Sequence, residues 1–281
     1  MVLKKIKSHA KINLALNIVG KNLYLHKIES IIAFVSLHDE IFIKRIKSKE
    51  HKISFIGKFS TNIGKNNTIY KLLSILEKKR LIHKEKFQIK INKKIPCKAG
   101  LGGGSMNAAA LLNYFIKRKI IRLKKKEIIT ISNSIGSDVV LGLNVKNSIL
   151  NSKNYIKSFL NYKKLYTLIV KPNFGCSTRE IYSKVKKFTK PKFNKPNKNF
   201  FDINYLKKMS NALEPIVFSK YSQLSKIKLF LEKSSEPAFV RMTGSGSALV
   251  AYFQSKESCV HAKKMFNRKY KNYWCIASKT I

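Results

Sequence analysis

The segment Pro96-Cys97-Lys98-Ala99-Gly100-Leu101-Gly102-Gly103-Gly104-Ser105-Met106 constrains this chain more than any other. Four glycines fall within five residues, so a regular element cannot run through it. Upstream, Lys86 to Ile95 alternates, with Phe87, Ile89 and Ile91 on one side, and stops at Pro96; that is a strand. Downstream, Ser105 to Lys117 is rich in Ala and Leu and reads as a helix. A strand, a glycine turn and a helix start in that order suit an anion. Backbone N–H groups approach it without interference from Cβ, and the helix N-terminus adds its unpaired N–H groups and its dipole. Ser105 can add a hydroxyl to the same phosphate or to its metal ion, and Ala108-Ala109-Ala110 lets the helix sit close to a sheet. Walker A and the dinucleotide fingerprint do not fit: no G-x-x-x-x-G-K-[ST] is present, and Ser105 stands where the third glycine of G-x-G-x-x-G belongs. Asn107 replaces the last glycine of a nucleophile elbow.

Around this loop the pattern mixes strands and helices. Lys11 to Val19 alternates as a half-buried strand, and Glu29 to Ile46 supplies one or two more. Thr68 to Arg80 carries the stripe Ile69, Leu72, Leu73, Leu76 of an amphipathic helix. Glu127 to Ile135 is a helix ended by Gly136. Asn144 to Lys164 is polar and weakly patterned, which puts a domain boundary near 150. Beyond it come a strand at Leu165–Val170 and a helix from Ser177 through Phe188 that opens on the capping box Ser177-Thr178-Arg179-Glu180. A Pro-, Lys- and Asn-rich loop at Thr189–Asn199, free to move, precedes helices at 203–213 and 216–233. Strands Ala238–Met242 and Ala248–Phe253 flank a Thr-Gly-Ser-Gly-Ser turn, followed by a helix at 258–267 and a strand at 273–277. The expectation is an α+β chain of two domains, 1–150 and 151–281.

The charge is extreme, +44 from 58 Lys+Arg against 14 Asp+Glu. Such a balance is a footprint of nucleic-acid binding. Here, however, lysine is spread over the whole chain, and only seven of the basic residues are arginine, the better reader of phosphate and bases. A solvated, lysine-rich surface explains this pattern better than a nucleic-acid face. No run reaches the roughly 18 apolar residues of a membrane span, and no signal peptide is expected. The four cysteines are far apart, which fits a reducing cytoplasm.

Against so much lysine the acids stand out. Asp138 is one of three aspartates and lies just past the helix-ending Gly136; it is a base candidate or a loop cap. Lys11 and Asn13 share the polar face of the first strand, where a solvated lysine is the default. His26 alone is an exposed loop residue or a hydrogen-bonding group, and Tyr182 a helix-face core residue or a pocket wall.

The glycine loop resembles the phosphate-binding motif of the GHMP small-molecule kinases. Five further segments resemble that family in order: Ala10–Leu14, His26 with Glu29-Ser30, Gly136–Val139, Asn211–Pro215 and Met242–Ser247. The three-glycine form followed by Asn-Ala-Ala-Ala resembles the branch whose substrate is a diphosphocytidyl methylerythritol. The resemblance implies a two-domain GHMP-kinase fold with the active site in the cleft between an N-terminal ATP-binding and a C-terminal substrate-side domain, ATP and Mg²⁺ as cofactors, and a monomer or homodimer with no dedicated nucleic-acid or membrane partner. It implies that Pro96 to Met106 hold ATP with Asn67 and Thr68 near the adenine, and that Ser105 meets the ATP-bound magnesium. It makes Asp138 the general base and Lys11 the group that keeps it ionised and steadies the developing alkoxide. It places Asn13, His26, Thr178, Tyr182 and the Gly244-Ser245-Gly246 turn on the substrate. The chain departs from the family at three points: Leu25 stands where a cytosine-stacking tyrosine belongs, with Tyr24 displaced by one; Met106 replaces a small or polar residue; and Val139-Val140 lacks a proline.

Overall fold

The computed structural model describes residues 3–23, 25–61, 63–82, 84–160 and 164–281; Tyr24 lies outside them. Two long paired strands come first, β1 (Lys4–Lys21) and β2 (His26–Ile46). They are followed by β3 (Lys52–Ile56), α1 (Thr68–Lys78), β4 (Lys86–Asn92), α2 (Gly103–Lys117), α3 (Lys125–Ile135) and the single turn α4 (Val139–Gly142). Next come β5 (Asn147–Leu150), β6 (Ile156–Phe159), β7 (Tyr166–Lys171) and α5 (Thr178–Ser183). A 3₁₀ turn (Lys198–Phe201) leads to α6 (Ile203–Lys207), α7 (Glu214–Lys220), α8 (Ser222–Ser234), β8 (Phe239–Met242), β9 (Leu249–Phe253), α9 (Lys256–Lys269) and β10 (Trp274–Lys279). The chain is α+β, as its pattern predicts. Among the described residues no helix is long and apolar enough to cross a membrane.

The residues gather into two compact units. The first comprises Met1–Ala10, Leu37–Cys97 and Gly102–Val145, and the second Lys11–Ser36, Lys98–Leu101 and Lys146–Ile281. The second unit thus takes two earlier segments besides Lys146–Ile281. The reason lies in β1 and β2, 18 and 21 residues long against a usual five or six, so each strand serves both units.

In the first unit β2 pairs antiparallel with β4 (Ile41 opposite Ile91, Ile43 opposite Ile89), and β3 pairs parallel with β4. The alternation of Phe87, Ile89 and Ile91 puts all three in the core. Ile69, Leu72, Leu73 and Leu76 of α1 and Ala108, Leu111, Leu112 and Phe115 of α2 join the same core. Each fully buried aliphatic side chain there contributes about 1.5–3 kcal/mol.

In the second unit a four-stranded antiparallel sheet runs β10-β7-β9-β8. Leu224, Ile227 and Leu231 of α8 and Cys259, Ala262 and Phe266 of α9 share its core, and β1 adds Leu16 and Ile18. Every residue of β8 and β9 is buried, including Arg241. The Arg241 guanidinium is satisfied by the carbonyls of Leu14, Leu206 and Met209.

Several boundaries differ from the sequence reading. β5 and β6 occupy the stretch that reads as polar and unpatterned; each is only four residues long, and Ser148 and Ser158 hydrogen-bond across the pair. The helix from Ser177 stops at Ser183, although Ser177 caps it by accepting the Glu180 N–H. The helix expected over 203–213 is cut to α6, and that over 216–233 is two helices joined at Tyr221, whose φ of −125° and ψ of 74° are not helical. The Thr189–Asn199 loop is tied down: Thr189 N–H donates to the Ile18 carbonyl, Lys192 and Phe193 N–H donate to the Glu29 carboxylate, and the Phe193 side chain is fully buried.

Candidate functional site

The glycine loop leaves β4 under the control of Asp39. This carboxylate is wholly buried and accepts the N–H groups of Lys94 (2.7 Å) and Ile95 (2.8 Å), the Asn107 side-chain amide (2.9 Å) and the Lys93 ammonium. One side chain thus joins the end of β2, the approach to the loop and the first turns of α2. Pro96 is buried, whereas Cys97 is exposed. Gly102 stands at the N-cap of α2 with φ +68° and no side-chain cap, so the first N–H groups of a 15-residue helix are left open for an anion. Ser105 lies in that first turn, and Met106 behind it is 3% exposed. Thr68 donates to the Gly104 carbonyl (2.7 Å) and so bonds to the loop directly. Asn67 instead caps α1, accepting the N–H groups of Ile69 and Tyr70. Asp138 is half-buried at the start of α4 and does not cap it. A 420 Å³ cavity of this unit, lined in part by Ile6, Met106, Ala110, Asn113 and Gly142, includes only Met106 of the expected site residues.

The second unit holds the remaining part of the loop, Lys98–Leu101. Gly100 has φ +72°, and a Cβ there would stand 2.0 Å from the Thr243 carbonyl oxygen, so only glycine fits. Thr243 donates its hydroxyl to the Gly100 carbonyl (3.1 Å), and the N–H groups of Cys176, Ser247 and Ala248 donate to the carbonyls of Lys98 and Ala99. Lys11 N–H donates to the Leu101 carbonyl (3.1 Å). The turn Gly244-Ser245-Gly246 is held from beneath by Asn211, whose amide donates to the carbonyls of Met242 and Gly244 (2.8 Å each).

Lys11 and Asn13 are buried, at 4% and 3% exposure, so neither is the solvated residue that counting favours. The Lys11 ammonium donates to Asn13 Oδ1 (2.9 Å); Asn13 donates its amide to Ser30 Oγ (2.8 Å) and its backbone N–H to Thr243 Oγ1 (3.1 Å). A single chain of bonds therefore runs from Lys11 through Asn13 and Thr243 to Gly100. Thr178 Oγ1 meets Ser245 Oγ at 2.8 Å. His26 packs against Tyr182, with ring centroids 5.3 Å apart. Burial, with a smaller effect of Lys21, lowers the His26 pKa from its usual 6.5 and favours the neutral ring.

The structure thus gathers Lys11, Asn13, Gly100 and Gly244–Gly246 in one unit together with Thr178, His26 and Tyr182. It gathers Thr68, Gly102–Met106 and Asp138 in the other. The sequence reading missed Asp39, Ser30 and Asn211. Ser30 and Asn211 lie within the quoted Glu29-Ser30 and Asn211–Pro215 segments, and Asp39 could have been suspected only from the scarcity of aspartate. Among the described residues no group of three or more His, Cys, Asp or Glu could hold a metal ion.

A family model described as the N-terminal domain of the GHMP kinases matches residues 67–148. The chain is 55% identical to the 4-diphosphocytidyl-2-C-methyl-D-erythritol kinase of Pelagibacter ubique (strain HTCC1062), with 99% of each chain covered. It is 32% identical to the enzyme of the same description from Clostridium tetani, over 99% of this chain and 100% of that one. A crystal structure of 4-(cytidine 5'-diphospho)-2C-methyl-D-erythritol kinase matches with a TM-score of 0.80 at 20% identity, covering 99% of this chain and 100% of the other. Homoserine kinase from Cytophaga hutchinsonii matches with a TM-score of 0.68 at 15% identity, covering 99% and 94%. At those identities the two structures speak for the fold.

Proposed function

Since the chain belongs to the 4-diphosphocytidyl-2-C-methyl-D-erythritol kinase family of GHMP kinases, we propose that it transfers the γ-phosphoryl group of ATP to the C2 hydroxyl of 4-diphosphocytidyl-2-C-methyl-D-erythritol. The observation that carries this reading is the glycine loop: it opens on an uncapped helix N-terminus and is bonded at Gly100 to the Thr243 turn.

Phosphoryl transfer asks the protein for positioning and charge neutralisation more than for covalent chemistry. In this reading Pro96 to Met106 wrap the phosphates of ATP, with Asn67 and Thr68 beside its adenine end. Asp138 takes the proton of the C2 hydroxyl, and Lys11, aligned by Asn13, offsets the negative charge that grows on that oxygen. Neutral His26, with Tyr182, takes the cytosine, and Thr178 with Gly244–Gly246 takes the diphosphate. The Ser105 hydroxyl, in the open first turn of α2, is a hard oxygen donor suited to Mg²⁺. The metal would neutralise the β- and γ-phosphate oxygens. We place the enzyme in the cytoplasm, as a monomer or homodimer.

The test is ADP release by the purified protein with ATP, magnesium and the cytidyl substrate, against a blank without substrate and parallel runs with homoserine and mevalonate. Turnover confined to the cytidyl substrate is the expected result; no ADP above the blank would refute the proposal.

A further inference from the structure

A third aromatic ring stands beside His26. The Phe188 ring centroid lies 6.3 Å from that of His26 at an interplanar angle of 51°, and Tyr182 lies 5.3 Å away at 45°. Phe188 is 49% exposed, whereas Phe193 and Phe201 nearby in sequence are buried to 2% or less. An apolar ring left half in water beside a polar site is out of keeping with a core role.

The exposure is not that of a loose end. On one side of Phe188, Val185 N–H donates to the Tyr182 carbonyl (3.2 Å); on the other, Thr189 N–H donates to Ile18 (2.8 Å). Farther along, Glu29 grips the N–H groups of Lys192 and Phe193, and Asn17 in turn holds Glu29 (2.9 Å). The backbone thus presents the ring at one place.

His26 supplies the second observation. Its Nε2 is buried and has no hydrogen-bond partner. A ring nitrogen without a partner beside two aromatic faces has the chemistry of a seat for a planar heterocycle: the faces stack, and the nitrogen meets a polar edge. Leu25, the neighbour of His26, is 69% exposed and has no π face to offer.

We propose that Phe188 is a specificity-determining residue, the second aromatic wall of the base pocket, which stacks on the pyrimidine whose edge His26 reads. The inference rests on the cytidyl-substrate reading above and adds a residue to it.

The experiment is calorimetric titration with cytidine 5'-diphosphate while ADP saturates the glycine loop, on the wild-type chain and on Phe188→Leu, Phe188→Ala and Phe188→Tyr, with steady-state kinetics on each. Leu keeps the apolar cover and removes the π face. Leu and Ala are expected to weaken cytidine 5'-diphosphate binding and raise KM for the cytidyl substrate by about 5- to 100-fold, the effect of losing one base–aromatic stack. Tyr is expected to restore both, with kcat and KM for ATP within about twofold throughout. Wild-type affinity in Phe188→Leu would overturn the inference, as would a parallel loss of kcat and ATP affinity. A wild-type chain that binds cytidine 5'-diphosphate with this Phe188 dependence but turns over no cytidyl substrate would sink the kinase reading and keep the aromatic wall. A chain that does not bind cytidine 5'-diphosphate at all would sink the wall.

Discussion

Asp138 stands at the entry to α4 and its side chain does not cap that helix. Asp138→Asn keeps the size and removes the basic oxygen. It should lower kcat by about 10²- to 10⁴-fold, the usual worth of general-base catalysis, while KM for ATP changes by no more than a few-fold; stopped-time ADP assays over a range of ATP would show both. A near-wild-type kcat would remove Asp138 from the base role. Asp138 draws notice because only three aspartates exist, and the other two have duties in the fold: Asp202 caps α6 and Asp39 anchors the loop. Lys11 was legible only through its motif, since 57 other basic residues look alike in sequence; burial at 4% sets it apart from most of them, with Lys93 and Arg241 buried to the same degree. Asp39 was not legible as a loop anchor, because its partners at 93–95 and 107 come near it only when β2, β4 and α2 assemble.

Among the elements, α1 and β4 could be read directly, because their apolar residues follow one period and face one core. The short strands β5 and β6 could not, because four residues show no period and their pairing is settled across the hairpin. The α5 capping box marked a start correctly but says nothing of where a helix ends, and the run Lys184-Val185-Lys186-Lys187 has no face to extend it. α2 and α4 approach closely at Gly142. A Cβ on Gly142 would come within 2.7 Å of Ala109 Cβ and 2.9 Å of Met106 Sδ. This explains the bulk at Met106: the glycine opposite makes room for it. Gly142→Ala should push α4 away from α2 and displace Asp138 at its head. Overpacking of this kind costs about 1–3 kcal/mol, to be read from urea unfolding, and kcat should fall by about tenfold with it.

Over the whole molecule the few acids carry structural weight. Hydrogen bonds from Lys5 and Lys94 bring the Glu40 pKa from 4.5 down to about 2. Its folded pKa lies below its unfolded one, so its stabilisation is complete above pH 4.5 and is lost as pH falls toward 2. Glu40→Gln should therefore be less stable than wild type at pH 7, by no more than about 1 kcal/mol for so exposed a lysine partner as Lys5, and the gap should close across that acid window. Chemical unfolding at a series of pH values would show the convergence; a gap constant with pH would contradict it.

The interleaving of the two units has a consequence for how the chain is made. A fragment ending at 150 would carry Leu16 and Ile18 without Leu213, Val240 and Leu249, members of the same core, and should elute from size exclusion as aggregate rather than as a folded domain. During synthesis the same gap is one of time. The backbone of Leu16 bonds to Ser210 and Ala212, about 200 residues later, so at roughly 5–20 residues per second β1 waits on the order of 10–40 seconds for its partners to leave the ribosome. For that interval Leu16 and Ile18 lack the Leu213, Val240 and Leu249 part of their core, and Lys4, Lys5, Lys7 and Lys21 of the same strand are charges that keep neighbouring copies apart.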